Sequence, residues 1–229
     1  MTRLVLVPGL LNDADLWRDQ IAALTGLCTP VVADITRGET LGALAEAVLD
    51  AGGARFALAG FSLGGIVAQT VMRIVPERVS HLALLDTTML PDSPGRAEER
   101  SNLIALAHNA GRFHGFGEKL IARYFAPEHR TETEMTDRVR AMTARLGPEV
   151  FIRQSRLHRP DNREMLKSVT VPALVLCGAH DVLTPPQLHR EMAALIPTAR
   201  LVIANHAAHM TPIEAPEVVS GALARLLGR

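Results

Sequence analysis

Residues 60–64 read Gly60-Phe61-Ser62-Leu63-Gly64, and the segments on either side make this stretch decisive for the fold. Residues 55–59 form an apolar run typical of a buried strand, whereas residues 65–73 carry the apolar spacing of a helix. A serine between such segments, flanked by glycines two residues away, lies in a turn too tight for larger side chains. The pattern predicts a strand, a sharp turn and a helix, with Ser62 as a candidate nucleophile.

Short apolar runs alternate with helical patterns on both sides of that turn. The runs lie at residues 4–7, 31–34, 56–60, 82–85, 173–177 and 201–204. They are continuously apolar, which is typical of parallel strands buried on both faces. Helical patterns between them, such as residues 41–50 and 65–75, predict an α/β fold with a doubly wound, mainly parallel sheet of about six strands. Ligands of such sheets bind beyond the carboxyl ends of the strands.

The alternation stops between about residues 91 and 160. This stretch contains amphipathic patterns that predict helices at residues 97–109, 116–125, 132–146 and 149–157. An inserted α-helical cap over one end of the sheet accounts for them. We therefore expect residues 1–90 to form the first part of the core, residues 91–160 the cap and residues 161–229 the second part of the core.

A serine hydroxyl becomes a nucleophile when a base takes its proton, and histidine has the pKa suited to that task. His209 follows the last predicted strand, in a loop that can reach Ser62 at the end of a neighbouring strand. His206 is the alternative in the same loop, and order and spacing favour His209. The two histidines also have the spacing of a zinc pair, but no third ligand follows at a recognisable distance in sequence. No metal or other cofactor is expected.

The base needs a carboxylate that holds its tautomer and stabilises its charged form. Asp181 follows the predicted strand at residues 173–177 and precedes His209, which gives the chain order Ser, Asp, His. Asp86, at the end of the strand after the Ser62 helix, is the alternative, and a structural hydrogen bond is the favoured interpretation of its role.

Acyl transfer also requires two N–H donors for the oxyanion that forms in the reaction. We expect one donor to be the backbone N–H of Leu63, the residue after the candidate nucleophile. The other is expected from the loop after the first strand, Val7-Pro8-Gly9-Leu10-Leu11, at Leu10. Backbone donors leave the side chains of these residues free to line a pocket.

With these residues in place, the chain resembles α/β-hydrolases that carry a helical cap, over nearly its whole length. Within that superfamily it is similar to the small serine esterases that include the pimeloyl-carrier methyl esterase of biotin synthesis. The likeness rests on Gly60-Phe61-Ser62-Leu63-Gly64-Gly65, on Pro76-Glu77-Arg78-Val79 with Leu84-Leu85-Asp86, and on Ala207-Ala208-His209. The resemblance implies that Ser62 is the nucleophile, Asp181 the orienting acid, His209 the general base, and Leu10 and Leu63 the oxyanion donors.

Three features depart from the family's pattern. Pro8-Gly9 stands where the family usually has His-Gly, so the backbone donor is kept and a side-chain hydrogen bond is lost. Asp34-Ile35-Thr36-Arg37-Gly38-Glu39 replaces the usual glycine-rich turn after the second strand. The chain also starts at the first core strand without the family's leading hairpin, which predicts a sheet of six strands.

A serine at the elbow excludes the dehalogenases and epoxide hydrolases of this fold, which use aspartate there. The first hypothesis is an ester hydrolase that cleaves a small or medium apolar carboxylic ester through an acyl-enzyme on Ser62. The alternatives are hydrolysis of a C–C bond in a ring-fission diketone with the same three residues, and a non-catalytic receptor for a small molecule. Fold alone does not choose among them.

Apolar residues near the expected site are candidates for the substrate pocket. Besides Leu10 and Leu63, they are Leu11, Phe61, Phe113, Phe116, Tyr124, Phe125, Met142 and Met210. The second half of the cap is rich in arginine. These arginines are Arg138, Arg140, Arg145, Arg153, Arg156 and Arg159. A solvated face is the default interpretation, and docking of a carboxylate or an acyl-carrier phosphate arm is the alternative.

Composition excludes other classes of function. Lys plus Arg equals Asp plus Glu, at 24 each, and aromatic residues make up 3% of the chain, so nucleic-acid binding is not expected. Cys28 and Cys177 match no metal or redox spacing and are expected to be buried thiols. No run approaches the roughly 20 apolar residues of a membrane span, and the short apolar start is broken by Pro8-Gly9. A cytoplasmic protein without a membrane partner is expected.

Overall fold

Six parallel strands form the sheet of this computed structural model, which describes residues 1–108 and 115–228. In chain order they are β1 (Arg3–Val7), β2 (Thr29–Val32), β3 (Phe56–Phe61), β4 (Val79–Leu85), β5 (Ala173–Gly178) and β6 (Ala199–Ala204). Across the sheet their order is β2-β1-β3-β4-β5-β6, with every pair parallel. The predicted α/β fold, with a doubly wound sheet of six strands, is confirmed.

Helices connect these strands on both faces of the sheet. Those in the described residues are α1 (Arg18–Leu24), α2 (Leu41–Gly52), α3 (Leu63–Ile74), α4 (Pro94–Ala107), α5 (Glu118–Tyr124), α6 (Thr133–Ser155), α7 (Arg163–Lys167), α8 (Pro186–Leu195), α9 (Thr211–Glu214) and α10 (Pro216–Leu226). Across the described ranges, no helix combines the length and the apolar composition that crossing a lipid bilayer requires.

The sheet is buried on both faces, which explains why its strands are apolar without alternation. In β3, Ala57 and Ala59 belong to a core cluster that also contains residues of α1 and α10. Their neighbours Phe56 and Leu58 point to the opposite face and join a cluster with residues of α2, α3 and α8. Successive side chains of a strand alternate between faces, so each face of β3 needs its own apolar set.

β4 begins three residues before the predicted strand at residues 82–85. Val79 pairs with Phe56 and His81 pairs with Ala57, and Ser80 lies at the register shift between these pairs. Ser80 and His81 are polar and only partly buried. A search for continuous apolar runs misses such a start, because the end of a strand can lie at the rim of the core where polar side chains reach water.

The stretch between β4 and β5 contains helices α4 to α7 and no strand in its described residues. We call residues 91–160 the helical insertion. Gly147 has φ 75° and is followed by Pro148, and together they interrupt α6 close to the boundary between the two helices expected there. The predicted helix at residues 97–109 ends at Ala107, and Asn109 lies outside the described residues. The division of the chain into core and cap domains stays a prediction.

The helical insertion is tied to the loop that follows β6. The backbone carbonyl of Tyr124 accepts hydrogen bonds from the N–H groups of His209 and Met210, at 3.0 and 3.2 Å. The buried carboxylate of Glu214 accepts from Ala126 N at 2.7 Å and from Ala208 N at 2.9 Å. The insertion therefore lies against the carboxyl end of the sheet, where ligands of this architecture bind.

The turn between β3 and α3 passes very close to the end of β1. A Cβ atom on Gly60 would lie 2.3 Å from the carbonyl oxygen of Gly64. One on Gly64 would lie 2.2 Å from the carbonyl oxygen of Val7 and 2.4 Å from that of Pro8. Both glycines are therefore required by backbone atoms that cannot move aside, as the sequence pattern predicts.

Gly64→Ala is expected to lower the free energy of unfolding by about 3 kcal/mol, because its new methyl group overlaps two backbone carbonyls. Gly95→Ala is the matched control, since a Cβ at Gly95 in α4 meets no atom within 4 Å. It is expected to change stability by less than about 1 kcal/mol, in the stabilising direction. Urea unfolding of both variants checks this, and equal stabilities would contradict the packing argument.

Candidate active site

Three side chains predicted from the sequence meet at the carboxyl end of the sheet. Ser62 follows β3, Asp181 follows β5 and His209 lies in the loop after β6. The Oγ of Ser62 is 3.0 Å from Nε2 of His209, and Nδ1 of His209 is 2.8 Å from Oδ2 of Asp181. The geometry is a continuous hydrogen-bonded chain from a hydroxyl through an imidazole to a carboxylate.

Ser62 is held in a strained conformation by its neighbours. Its φ of 52° lies in the left-handed region, which is uncommon for a residue other than glycine. Its N–H donates to the carbonyl of Leu85 at 2.9 Å, and its own carbonyl accepts from Oγ1 of Thr87 at 2.7 Å. These two bonds attach the turn to the end of β4 and fix the direction of the hydroxyl.

His189 supports this arrangement, and the sequence analysis does not find it. Its Nε2 accepts from the N–H of Thr87 at 3.1 Å, and its Nδ1 lies 3.2 Å from the carbonyl of Pro185. Burial lowers the pKa of His189 to about 4, so the ring is neutral near neutral pH. A neutral ring with its proton on Nδ1 satisfies both partners. No sequence motif signals this role, because the contact between His189 and Thr87 joins residues that are 102 positions apart.

Asp181 is buried and fully bonded. Its Oδ1 accepts from the N–H groups of Leu183 and Thr184, at 2.8 and 3.0 Å, and its Oδ2 accepts from Oγ1 of Thr184 at 2.7 Å in addition to His209. Burial acts to raise the pKa of Asp181, but His209 and these hydrogen bonds outweigh it and leave the pKa lowered. The carboxylate is therefore ionised and can stabilise a positive charge on His209.

Two aromatic rings fix the imidazole of His209. The ring centroids of Phe61 and Tyr124 each lie 5.3 Å from that of His209, and the Tyr124 ring is nearly perpendicular to it.

His206, the alternative histidine, has a side chain that is 85% exposed, with Nδ1 3.5 Å from a carboxylate oxygen of Glu128. His209 is the histidine at Ser62. Within residues 1–108 and 115–228, no cluster of three or more His, Cys, Asp or Glu is arranged to hold a metal ion.

Asp86, the alternative acid, is fully buried and serves a different contact. Its Oδ1 accepts from the N–H of Gly178 at 3.0 Å, and its Oδ2 accepts from Oγ1 of Thr211. Burial, reinforced by the nearby charge of Asp181, raises the pKa of Asp86 well above its usual range. The carboxyl group connects the ends of β4 and β5 to the segment after His209.

The two expected oxyanion donors flank Ser62. Leu63 is the first residue of α3, Leu10 lies in the loop after β1, and both line the same cavity as Ser62 and His209. Neither backbone N–H donates to another atom in the described ranges. Gln154 of α6 supports this loop, accepting from the N–H of Leu11 at 2.9 Å.

The cavity beside Ser62 has a volume of about 120 Å³. Of the residues predicted to line it, Leu10, Leu63 and Tyr124 do so. Six others are buried in the core instead and do not contribute to its described lining. They are Leu11, Phe61, Phe116, Phe125, Met142 and Met210. These large apolar side chains pack between the insertion and the sheet, where they bury the most apolar area. Phe113 lies outside the described residues.

The remaining lining is partly apolar and partly charged. The apolar part comes mainly from Ile66, Leu103, Leu120, Phe151 and Leu183. Of the charged part, only Arg159 belongs to a set named in the sequence analysis. The charged part consists of Asp92, Arg96, Glu99, Arg100, Arg123 and Arg159.

Arg159 is the one member of the predicted arginine-rich set found in the described lining. Arg138 is buried against Asp15 and Asp19, and Arg145 pairs with Asp13. The other arginines of the set also have partners elsewhere. Arg140 pairs with Glu118 and Asp137, Arg153 donates to the carbonyl of Thr36, and Arg156 lies 3.3 Å from Nε2 of His108. Counting charges along the sequence misses these pairs, because most partners lie on distant elements.

The sequence model of the alpha/beta hydrolase family matches residues 4–222. The chain belongs to the alpha/beta hydrolase family. A pimeloyl-[acyl-carrier protein] methyl ester esterase from Neisseria meningitidis is 26% identical over 155 residues, which cover 66% of this chain and 60% of that protein. A putative carbamate hydrolase, RutD, from Azorhizobium caulinodans is 27% identical, covering 99% of this chain and 91% of that protein.

Solved structures of this family have the same architecture. A thermophilic esterase from Thermogutta terrifontis, with malate bound, superposes with a TM-score of 0.87 at 27% identity, covering 100% of this chain and 90% of that one. The family's relatives therefore include esterases that share both the fold and a detectable part of the sequence.

Asp86→Asn is expected to gain stability relative to the wild type as pH rises above about 4. Since the pKa of Asp86 is raised in the folded state above the roughly 3.9 of an unfolded aspartate, the folded protein keeps a proton that the unfolded chain releases. Wild-type stability falls through that range by at most about 1.4 kcal/mol per pH unit, and the amide has no such loss. Urea unfolding at several pH values measures the difference in stability; a difference independent of pH would contradict the raised pKa of Asp86.

Proposed function

We propose that the protein is a serine hydrolase that cleaves a small or medium carboxylic ester through an acyl-enzyme intermediate on Ser62. The observation that carries this proposal is the hydrogen-bonded chain from Ser62 through His209 to Asp181 beside a cavity. A hydroxyl, an imidazole and an ionised carboxylate in this order are the elements of nucleophilic acyl transfer.

In the first step, Nε2 of His209 takes the proton from Oγ of Ser62 as the oxygen attacks the ester carbonyl carbon. The Nδ1–H group of His209 donates a hydrogen bond to the carboxylate of Asp181. This bond keeps Nε2 unprotonated, so that it can act as the base, and the carboxylate stabilises the imidazolium that forms. The negative charge on the carbonyl oxygen is stabilised by the N–H groups of Leu10 and Leu63, which have no protein acceptor in the described ranges.

The tetrahedral intermediate then expels the alcohol, which takes its proton from His209, and leaves the acyl group on Ser62. A water molecule, activated by the same histidine, attacks the acyl-enzyme and releases the acid. The positive end of the α3 dipole, at Leu63, favours the oxyanion in both halves of the reaction.

The size and lining of the cavity support a small or medium acyl group. Leu103, Leu120 and Phe151 provide an apolar wall beside Ser62 in a space of about 120 Å³. The relatives from Neisseria meningitidis and Thermogutta terrifontis are named as esterases, which favours an ester over a C–C bond as the scissile bond. Because the match covers 60% of the Neisseria protein, its particular substrate is not transferred to this chain.

Hydrolysis of p-nitrophenyl esters is expected to peak at short acyl chains and to disappear in Ser62→Ala. The substitution removes the attacking oxygen and little else, so the variant should fold normally, which circular dichroism and urea unfolding check. His209→Ala is expected to lose activity as well, whereas His206→Ala, with its exposed ring, should retain most of it. The rate of p-nitrophenolate release across the chain-length series is the measurement.

Wild-type activity in a folded Ser62→Ala protein would overturn the mechanism. No ester hydrolysis by folded wild type would favour either a C–C bond hydrolase, recognised by its acid and ketone or dienoate products, or a non-catalytic receptor.

Asp181→Asn is expected to lower kcat by roughly ten-thousandfold, because the amide favours the wrong imidazole tautomer. Asp86→Asn is the matched control, since it makes the same change in a neighbouring buried carboxyl group, one whose pKa is raised rather than lowered. It should keep kcat within about tenfold of wild type, because its contacts reach Ser62 and His209 only indirectly. A larger loss in Asp86→Asn than in Asp181→Asn would move the acid to the end of β4.

A further inference from the structure

The cavity beside Ser62 has a cationic wall. Arg96 and Arg100 come from α4, Arg123 comes from α5, and Arg159 follows the end of α6. Two carboxylates, those of Asp92 and Glu99, share the lining with these four guanidinium groups. This part of the cavity therefore carries more positive than negative charge, although the whole chain is balanced.

Both carboxylates are already paired with one arginine each. Arg100 donates to the two oxygens of Asp92 at 2.8 and 2.9 Å, which is the bidentate geometry of a strong ion pair. Arg123 donates to Glu99. Arg96 has no carboxylate partner in the described ranges and donates to the carbonyl of Leu183. The internal acids therefore leave Arg96 and Arg159 without a counter-charge of their own.

Arg159 is the most constrained of the four. Its side chain is 7% exposed, and its nearest carboxylate oxygen is Oδ2 of Asp92, 4.0 Å from Nε and already bonded to Arg100. Its Nη1 donates to the carbonyl of Leu157, and its Nη2 donates to no atom in the described part of the chain. Burying a guanidinium group costs free energy when some of its N–H donors have no acceptor and its nearest carboxylate is shared with another arginine. Binding of a second anion would reduce that cost.

The pKa of Arg159 is consistent with its buried position between other cations. Burial lowers the pKa of Arg159 to about 10, and repulsion from Arg100 adds to the decrease. The group is nevertheless charged near neutral pH. An anion bound in the cavity would raise the pKa of Arg159 again, because it supplies a negative charge and hydrogen-bond acceptors.

Two uncharged donors lie in the same lining. The Oγ of Ser155 is buried and has no hydrogen-bond partner in the described structure. Burial raises the pKa of Tyr124 to about 12, so its phenol keeps its proton near neutral pH. A buried polar atom without a partner is uncommon in folded proteins, and one in a cavity wall indicates a group that a ligand completes.

We propose that this wall binds a free carboxylate on the substrate, so that the ester cleaved at Ser62 is a half-ester of a dicarboxylic acid. The proposal rests on the esterase function proposed above and names its substrate class. Guanidinium groups match the planar, two-oxygen acceptor of a carboxylate, and apolar residues such as Leu103 and Leu120 accommodate the methylene chain between its two ends.

The position of these arginines favours a small substrate over a carrier protein. Arg159 lies inside the cavity and is almost fully buried, so a flat protein surface cannot reach it. Elsewhere in the insertion, Arg138 and Arg145 are paired with acids of the core, which reduces the outer charge that would attract an acidic carrier. The binding group is therefore one that enters the cavity.

The test compares mono-p-nitrophenyl esters of glutaric, adipic and pimelic acids with the analogues in which the far carboxylate is a primary amide. The amide has the same shape without the charge. Wild type is expected to prefer the carboxylate form by roughly tenfold to hundredfold in kcat/KM, the range of a charge-assisted hydrogen-bonded pair held out of water.

Arg159→Gln and Arg96→Gln are each expected to reduce that preference by about tenfold, measured as the ratio of kcat/KM for the carboxylate form to kcat/KM for the amide form. Because Arg96 is exposed, Arg96→Gln is expected to fold, and it provides the measurement if Arg159→Gln does not fold. Arg145→Gln is the matched control: it removes an arginine of the same insertion that pairs with Asp13 outside the cavity, and it should leave the preference unchanged.

Equal hydrolysis of the carboxylate and amide forms by wild type would overturn the proposal while leaving the esterase intact. Loss of both activities in equal proportion in the arginine variants would also overturn it, since it would show a structural role. Absence of hydrolysis with any ester would instead overturn the esterase function.

Calorimetry with Ser62→Ala and adipate separates the two proposals, because binding needs no turnover. Binding that is lost in Ser62→Ala combined with Arg159→Gln supports the carboxylate site independently of activity. Tighter binding of inorganic phosphate than of adipate would overturn the assignment to a carboxylate and favour a phosphate-bearing ligand.

Discussion

The close crossing of the β3–α3 turn over the end of β1 is the constraint on which the rest of the site depends. Gly60 and Gly64 allow backbone atoms to approach where a single Cβ would overlap a carbonyl oxygen. This approach holds Ser62 at positive φ, above the sheet, with the N-terminus of α3 directly behind it. It also brings the loop after β1 beside the serine, so that the N–H of Leu10 and that of Leu63 flank the same cavity. A wider turn would separate the hydroxyl of Ser62 from the two N–H groups that are proposed to bind the oxyanion.

The loops around Ser62 are held by buried polar groups whose charge states differ according to their surroundings. Asp181 is ionised because His209 and three hydrogen bonds outweigh its burial, whereas burial and the charge of Asp181 raise the pKa of Asp86. Burial lowers the pKa of His189 to about 4, so its ring is neutral and accepts the bond that fixes the segment after β4. Glu214 joins the helical insertion to the loop of His209 through backbone N–H groups on both. Each of these groups connects elements that are distant in sequence, and together they position a site built on loops above a rigid sheet.

The helical insertion lines the cavity with two chemically distinct sets of side chains. Leu103, Leu120 and Phe151 are apolar, and Arg96, Arg100, Arg123 and Arg159 are charged, with members of both sets on α4 and on α5. The esterase chemistry proposed for Ser62 requires only the apolar set, which would hold an acyl chain. In the proposal of a carboxylate-binding cavity, the arginines add a selectable feature. The buried guanidinium of Arg159, whose nearest carboxylate is already bonded to Arg100, would discriminate between charged and uncharged substrates of equal size. The family's architecture would then provide the reaction geometry and the insertion the discrimination.

The sequence by itself determined the sheet and the chain positions of Ser62, Asp181 and His209, because local spacing and strand order decide these features. Apolar runs specify buried parallel strands, and the residues at their carboxyl ends must meet at one edge. The pattern also predicted small residues at Gly60 and Gly64, although the backbone atoms that Gly64 approaches belong to the distant Val7 and Pro8. Only the tertiary structure decided which side chains line the cavity: Phe116 and Met142 pack in the core, while Arg96 and Arg123 line the cavity. The same holds for the arginines that pair with distant acids and for the charge states of Asp86 and His189. The physical reason is that burial, pairing and pKa depend on contacts between residues far apart in the chain, which local patterns do not encode.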